Sequence, residues 1–178
     1  MFGRRGPQAL FAGDAPVRGT SDIGGPSNSV ALAEDKISPS AASPIYGVTI
    51  PAGYRQWELA APSHEAGSLD ELRAVLGNAV AMKAYRDRTL PFPDGSILAK
   101  LGLETSAVGR SGRSFRIRRA TTVQFMVKDS VKYASTGGWG FGRFIDGKPV
   151  DEAQHKTCFP CHAAHAKGHC FVFTRYAP

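Results

Sequence analysis

Cys158-Phe159-Pro160-Cys161-His162 limits this chain more than any other feature. Two thiols three positions apart can each bond one vinyl side arm of a haem. The imidazole beside the second thiol then sits under the iron and supplies the proximal nitrogen. With 3 Cys and 5 His in 178 residues, random placement produces this pattern with a frequency on the order of 10⁻³. The motif therefore points to a covalently attached haem, haem c, held by Cys158, Cys161 and His162.

Other uses of the same residues are weaker. A zinc site would draw on Cys158, Cys161 and two of His165, His169 and Cys170. Its gaps are too short for a usual finger, and no second Cys pair exists. A redox disulfide between Cys158 and Cys161 calls for a βαβ setting that the sequence lacks. A purely structural cysteine pair is the remaining alternative. Three cysteines are too few for a disulfide scaffold, and Cys170 reads as a free thiol.

Attachment leaves the sixth iron position open. An electron carrier usually fills it with Met or His. Met82, Met126, His64, His155, His165 and His169 are available in principle. His165 and His169 lie so close to His162 that they should share its side of the ring. Met126 falls in a strand pattern that favours packing. No persuasive second ligand emerges, which favours a distal site open to a small molecule.

The length suits one domain, and 42% hydrophobic residues can bury one core. No apolar run approaches 18 residues, so no membrane span is expected. No internal repeat is visible. The net charge is +7, and +4 of it lies in residues 101–120, where Arg110, Arg113, Arg116, Arg118 and Arg119 stand against Glu104. That stretch is rich in Gly and Ser, without aromatic interleaving or a binding motif. It reads as a solvated, atypical loop and not as a nucleic-acid site.

Residues 1–44 read as a disordered leader or the remnant of an export signal. Gly and Pro recur there without periodicity. Ala31-Leu32-Ala33 has the form of a signal-peptidase site, yet no apolar stretch precedes it. Arg4-Arg5 is at best a faint twin-arginine hint. The domain is expected over 45–178. Tyr54 to Leu59 can form a strand. Ser68-Leu69-Asp70-Glu71 resembles a capping box, with Leu69, Leu72, Leu76 and Val80 on one helical face. A second reading makes Leu72–Leu76 a strand and Asn78 the cap of a helix to about Arg88. Pro91-Phe92-Pro93-Asp94-Gly95 is a turn. Ser96 to Leu101, Thr122 to Lys128 and Trp139 to Ile145 read as strands, the second with Val123, Phe125 and Val127 on one face. Asp146-Gly147 is a turn. Asp151 to about Lys167 is helical, and Phe171-Val172-Phe173 a last short strand. Strands outnumber helices, which gives an α+β domain, mainly antiparallel sheet with a few flanking helices.

A late haem motif on a strand-rich body resembles the cytochrome P-460 / cytochrome c′-beta family. Pro51-Ala52-Gly53-Tyr54-Arg55-Gln56-Trp57 looks like its opening strand, and Phe92-Pro93-Asp94-Gly95-Ser96-Ile97-Leu98-Ala99-Lys100 like its central turn and strand. Val127-Lys128-Asp129-Ser130, Gly138-Trp139-Gly140-Phe141 and the tail from Phe171 to Pro178 fit as well. Residues 101–120 do not read like the family.

The resemblance implies an antiparallel β fold with flanking helices, a homodimer and a five-coordinate c-type haem in the periplasm. It favours the strand-then-helix reading around Asn78. In the P-460 branch a lysine is bonded to a carbon of the porphyrin, and the matching position is Lys100. That bond supports hydroxylamine oxidation, with electrons passed to a redox partner such as a small cytochrome. In the c′-beta branch the bond is absent, and an apolar distal pocket binds nitric oxide. The family's distal arginine maps to Arg73. Phe92, Phe141 and Phe144 are core candidates, any of which can crowd the open face. A distal base is needed for turnover. Glu152 and Asp151 are near the motif in sequence, but nothing places them distally. A plain electron carrier is the third functional expectation.

Overall fold

The computed structural model describes residues 41–66, 70–109 and 114–177. The expected leader up to residue 40, Ser68-Leu69 of the capping-box reading, and Arg110 and Arg113 lie outside these residues. Six strands pair in chain order, all antiparallel: β1 (Glu58–Glu65), β2 (Glu71–Gly77), β3 (Ile97–Val108), β4 (Ser114–Lys128), β5 (Trp139–Ile145) and β6 (Lys148–Pro149). Each strand lies beside its predecessor, so the sheet is a meander, with a helix in the connection between β2 and β3.

Residues opposite one another on paired strands share a face. The register aligns Val75, Lys100, Gln124 and Arg143 in one row across β2 to β5. Leu98, Met126 and Phe141 form a second row on that same face. The opposite face carries Ala99, Phe125 and Phe144, all buried. Tyr54 covers it, its ring edge-on to Phe125 at 5.2 Å. Val48 packs there too, where a Cβ on Gly142 would meet its Cγ1 at 2.9 Å. Upstream, the buried Ser43 hydroxyl donates to the Phe141 carbonyl.

Helix α1 (Ala79–Asp87) resolves the ambiguity around Asn78 in favour of the second reading. Asn78 sits in extended backbone and its Oδ1 accepts from the amides of Ala81 and Ile97, while Nδ2 donates to the Gly95 carbonyl. One side chain thus starts the helix and ties it to the next strand. Ala81, Met82, Ala84 and Tyr85 form its buried face. Gly77 leaves room for Met82, whose Sδ would lie 2.6 Å from an added Cβ.

Three expectations change. Tyr54–Gln56 is a 3-10 turn and the strand begins only at Glu58; Gly53, at φ +70°, turns the chain there. Phe171–Phe173 is not a strand, because Cys170 and Phe171 both take positive φ. Residues 101–120 are largely strand: β3 and β4 extend beyond the sheet as a two-stranded arm. No residue of the arm is buried, so it has no apolar face turned to a core; Phe115 and Ile117 alternate with Arg116 and Arg118 but stay exposed. Glu104 bridges across it to Arg119 at 2.9 Å and Arg118 at 3.4 Å. Gly102, which reads as a loop residue, is a strand residue whose missing side chain admits Glu71; a Cβ there would meet Glu71 Oε1 at 2.3 Å. Among the described residues no helix is long and apolar enough to cross a membrane.

Candidate cofactor cavity

The Cys-x-x-Cys-His motif is the first turn and a half of helix α3 (Cys158–Ala166), which follows the short helix α2 (Glu152–Lys156). Cys158 and Cys161 are one turn apart and so share a face. Pro160 sits among the first amides, which lack intrahelical partners anyway, and costs the helix nothing there. His162 Nδ1–H donates to the Phe171 carbonyl at 2.7 Å. A carbonyl only accepts, so this bond fixes the tautomer and leaves the Nε2 lone pair free for a metal. Burial lowers the His162 pKa, opposed by the Phe171 bond, which favours the neutral ring over the imidazolium. Phe141 and Phe173 flank it at 4.9 and 4.8 Å.

The Phe171 carbonyl is held in place from several sides. Cys170 and Phe171 occupy left-handed backbone at φ 51° and 65°. Trp139 Nε1–H donates to the Cys170 carbonyl at 2.9 Å, and the Phe171 amide donates to Ala166 at 2.9 Å. Gly137 lies under the Phe171 ring, so closely that an added Cβ would sit 2.3 Å from it.

Between α3, the tail after Val172 and the first sheet face lies a cavity of about 920 Å³. That is near the top of the roughly 300–1,000 Å³ range of cofactor sites. Cys158, Cys161, His162, Lys100 and Arg73 all line it. The five candidate site residues, spread over 90 positions of sequence, thus share one space.

Their electrostatics differ. Arg73 is ion-paired with Glu65 and, through Nε at 2.8 Å, with Glu71, which also accepts from Thr121. Two faces of its guanidinium are therefore committed. Lys100 has no hydrogen bond or ion pair among the described residues. Burial, reinforced by the charge of Arg73, pushes its pKa down to about 8. Burial raises the Cys158 pKa, opposed by Arg143 and Lys100. A lysine depressed from 10.5 to about 8 penalises the folded state fully below pH 8, and the penalty fades as pH rises to 10.5. Lys100→Met should therefore stabilise the haem-free chain against urea at pH 7, with a gain that shrinks between pH 8 and 10.

Other candidates fall into place. Phe141 faces the cavity beside His162, whereas Phe144 packs on Phe125 on the far side of the sheet and Phe92 between Tyr85 and Trp139. Met126, His64 and His165 line the cavity, with His64 bonded to Asp70 at 2.8 Å. Met82 is core. His169 Nδ1 bonds the Val172 carbonyl at 3.0 Å. His155 is fully buried, its Nε2 accepting the Arg143 amide at 3.1 Å. Asp151 caps α2 and Glu152 pairs with Lys156, so neither faces the cavity. Sequence reasoning missed Gln124 and Arg143 as cavity residues. The signal was present for Arg143, a cation on the same strand face as Trp139 and Phe141.

The fold and the site together define a sheet protein that holds a cofactor between one sheet face and a helix carrying two thiols and a neutral imidazole. That donor set and volume fit a haem. A family model described as Cytochrome P460 matches residues 51–174. The chain belongs to the cytochrome P460 family, and membership implies a haem cofactor. No curated relative matches the chain.

Proposed function

We propose that this is a c-type haem protein that oxidises hydroxylamine and passes the electrons to a redox partner such as a small cytochrome. Cys158 and Cys161 would hold the ring through thioethers, and His162 Nε2 would be the proximal ligand. Bound haem supplies a metal for the nitrogen ligand and a reversible store for electrons. The chain supplies the rest. The Phe171 carbonyl keeps the His162 proton on Nδ1. Val75, Leu98, Met126 and Phe141 give the mixed cavity wall an apolar patch. The Arg73–Glu65–Glu71 cluster holds one charged corner fixed.

The observation that carries the reading is Lys100. It is half-buried and unpaired among the described residues, its pKa is depressed to about 8, and it faces the same cavity as His162 and Cys158. We assign it to the bond with the porphyrin ring that marks the hydroxylamine-oxidising branch. The same reading expects a homodimer in the periplasm, where haem is attached to such motifs.

One observation favours nitric oxide binding without turnover instead. Among the described residues the sole carboxylate lining the cavity is Glu65, and it is tied to Arg73. Gln124, beside Lys100, is not a base. Removing protons from hydroxylamine needs a proton acceptor.

The ferrous visible spectrum of haem-loaded protein, compared with Lys100→Ala, separates the two. A Soret band far to the red that disappears in the variant, with steady hydroxylamine turnover by the parent, is expected. An ordinary high-spin spectrum unchanged by Lys100→Ala would leave the gas-binding reading.

A further inference from the structure

Arg143 lies in the middle of β5 and lines the haem cavity. Its Nε is shielded from water and has no hydrogen-bond partner, and no ion pair engages the side chain among the described residues. The other two cations of the cavity differ. Arg73 is matched by Glu65 and Glu71, and Lys100 can shed its proton near neutral pH. Arginine cannot.

The backbone around Arg143 is fixed. Its amide donates to the buried His155 Nε2 at 3.1 Å, and its carbonyl accepts from Val150 at 3.0 Å. His155 is anchored in turn through Nδ1 to the Asp151 carbonyl at 2.9 Å. The strand therefore presents the guanidinium from a rigid base, directly beside the helix that carries the motif. A buried charged donor without an acceptor is costly, so such groups almost always have a partner. The described residues supply none here. A planar fork of donors matches planar oxyanions.

We propose that Arg143 binds an anionic oxygen group inside the haem cavity. The inference rests on the haem reading above for the occupant of that cavity. Two sources share this chemistry: a carboxylate side arm of the haem itself, or a small free nitrogen oxyanion entering as ligand or leaving as product.

Haem-loaded wild type, Arg143→Gln and Arg143→Lys distinguish them, using nitrite as the probe. Ferric protein is titrated with nitrite and, separately, ferrous protein with uncharged nitric oxide, and the midpoint potential is measured. A free-oxyanion site predicts nitrite affinity about tenfold or more weaker in Arg143→Gln, with nitric oxide binding unchanged. A haem carboxylate predicts unchanged nitrite affinity and a lower potential in Arg143→Gln, because loss of the cation favours ferric iron. Arg143→Lys keeps the charge but not the fork, so it should fall between. Nitrite affinity and potential both equal to wild type in Arg143→Gln overturn the proposal. If that variant fails to accumulate, the same equality in Arg143→Lys overturns it. These readouts do not depend on Lys100 or on hydroxylamine turnover, so a failure there would sink the reading above and leave this one intact.

Discussion

In a Lys100→Ala background, Cys158→Ala with Cys161→Ala, produced alongside c-type maturation machinery, is expected to yield a chain with no haem that survives denaturation. The two thiols are the only cysteines in the motif, one turn apart on α3 and facing the cavity. Each thioether is a covalent bond, so with Lys100 replaced as well, losing both leaves only the His162 bond and apolar contact to retain the ring. Either single variant should keep one bond and stain for haem on a denaturing gel. The double variant should not. Cys170 does not line the cavity, and its carbonyl is engaged by Trp139, so it offers no substitute. Stainable haem on the double variant would remove the attachment role from this motif.

Gly137→Ala should be among the most damaging single-methyl additions in the molecule. Three atoms of the Phe171 ring would lie 2.3 to 2.7 Å from the new carbon, and the backbone is at φ +66°. Overpacking costs about 1–3 kcal/mol and left-handed backbone on a non-glycine residue about 1–2 kcal/mol, so a loss of about 2–5 kcal/mol is expected. Gly147→Ala is the matched control. It has φ +76° with nothing within 4 Å, so it should show the backbone cost alone. Moving Phe171 also moves the carbonyl that holds His162. The iron–histidine stretch of the loaded protein should therefore shift in Gly137→Ala and stay fixed in Gly147→Ala. Equal urea midpoints for the two variants would show that the Phe171 ring yields easily.

What could be read in the sequence was what local chemistry decides. The alternation at Val123 and Phe125 located β4 because each residue's burial follows from its parity. Asn78 offered α1 as one of two readings, because a capping amide suits the start of such a run, and the resemblance favoured it. The motif located α3 because its spacing is the chemistry. The arm over 103–108 and 114–120 was hidden because backbone pairing, not side-chain burial, makes it strand. Gly102 misled for a related reason: its absent side chain serves Glu71 from another strand. Arg73 could be placed by resemblance, but its engagement by Glu65 depends on the pairing of β1 with β2, and by Glu71 on its neighbour two positions along β2. Arg143 needed the same register to become a neighbour of Lys100 and Gln124.

The motif and Lys100 differ in when they can exist as a site. Cys158 to His162 is contiguous, and the unfolded chain already displays both thiols and the imidazole as one unit. Lys100 meets them only after β3 is paired on both sides and α3 has closed over the sheet. Such long-range contacts form late because their loops must first be closed. On the proposed attachment, haem would be captured on an extended chain, while any bond from Lys100 would await a finished sheet. Assembly of the proposed site would therefore have a built-in order, and a chain arrested before the sheet forms would carry haem of an ordinary kind.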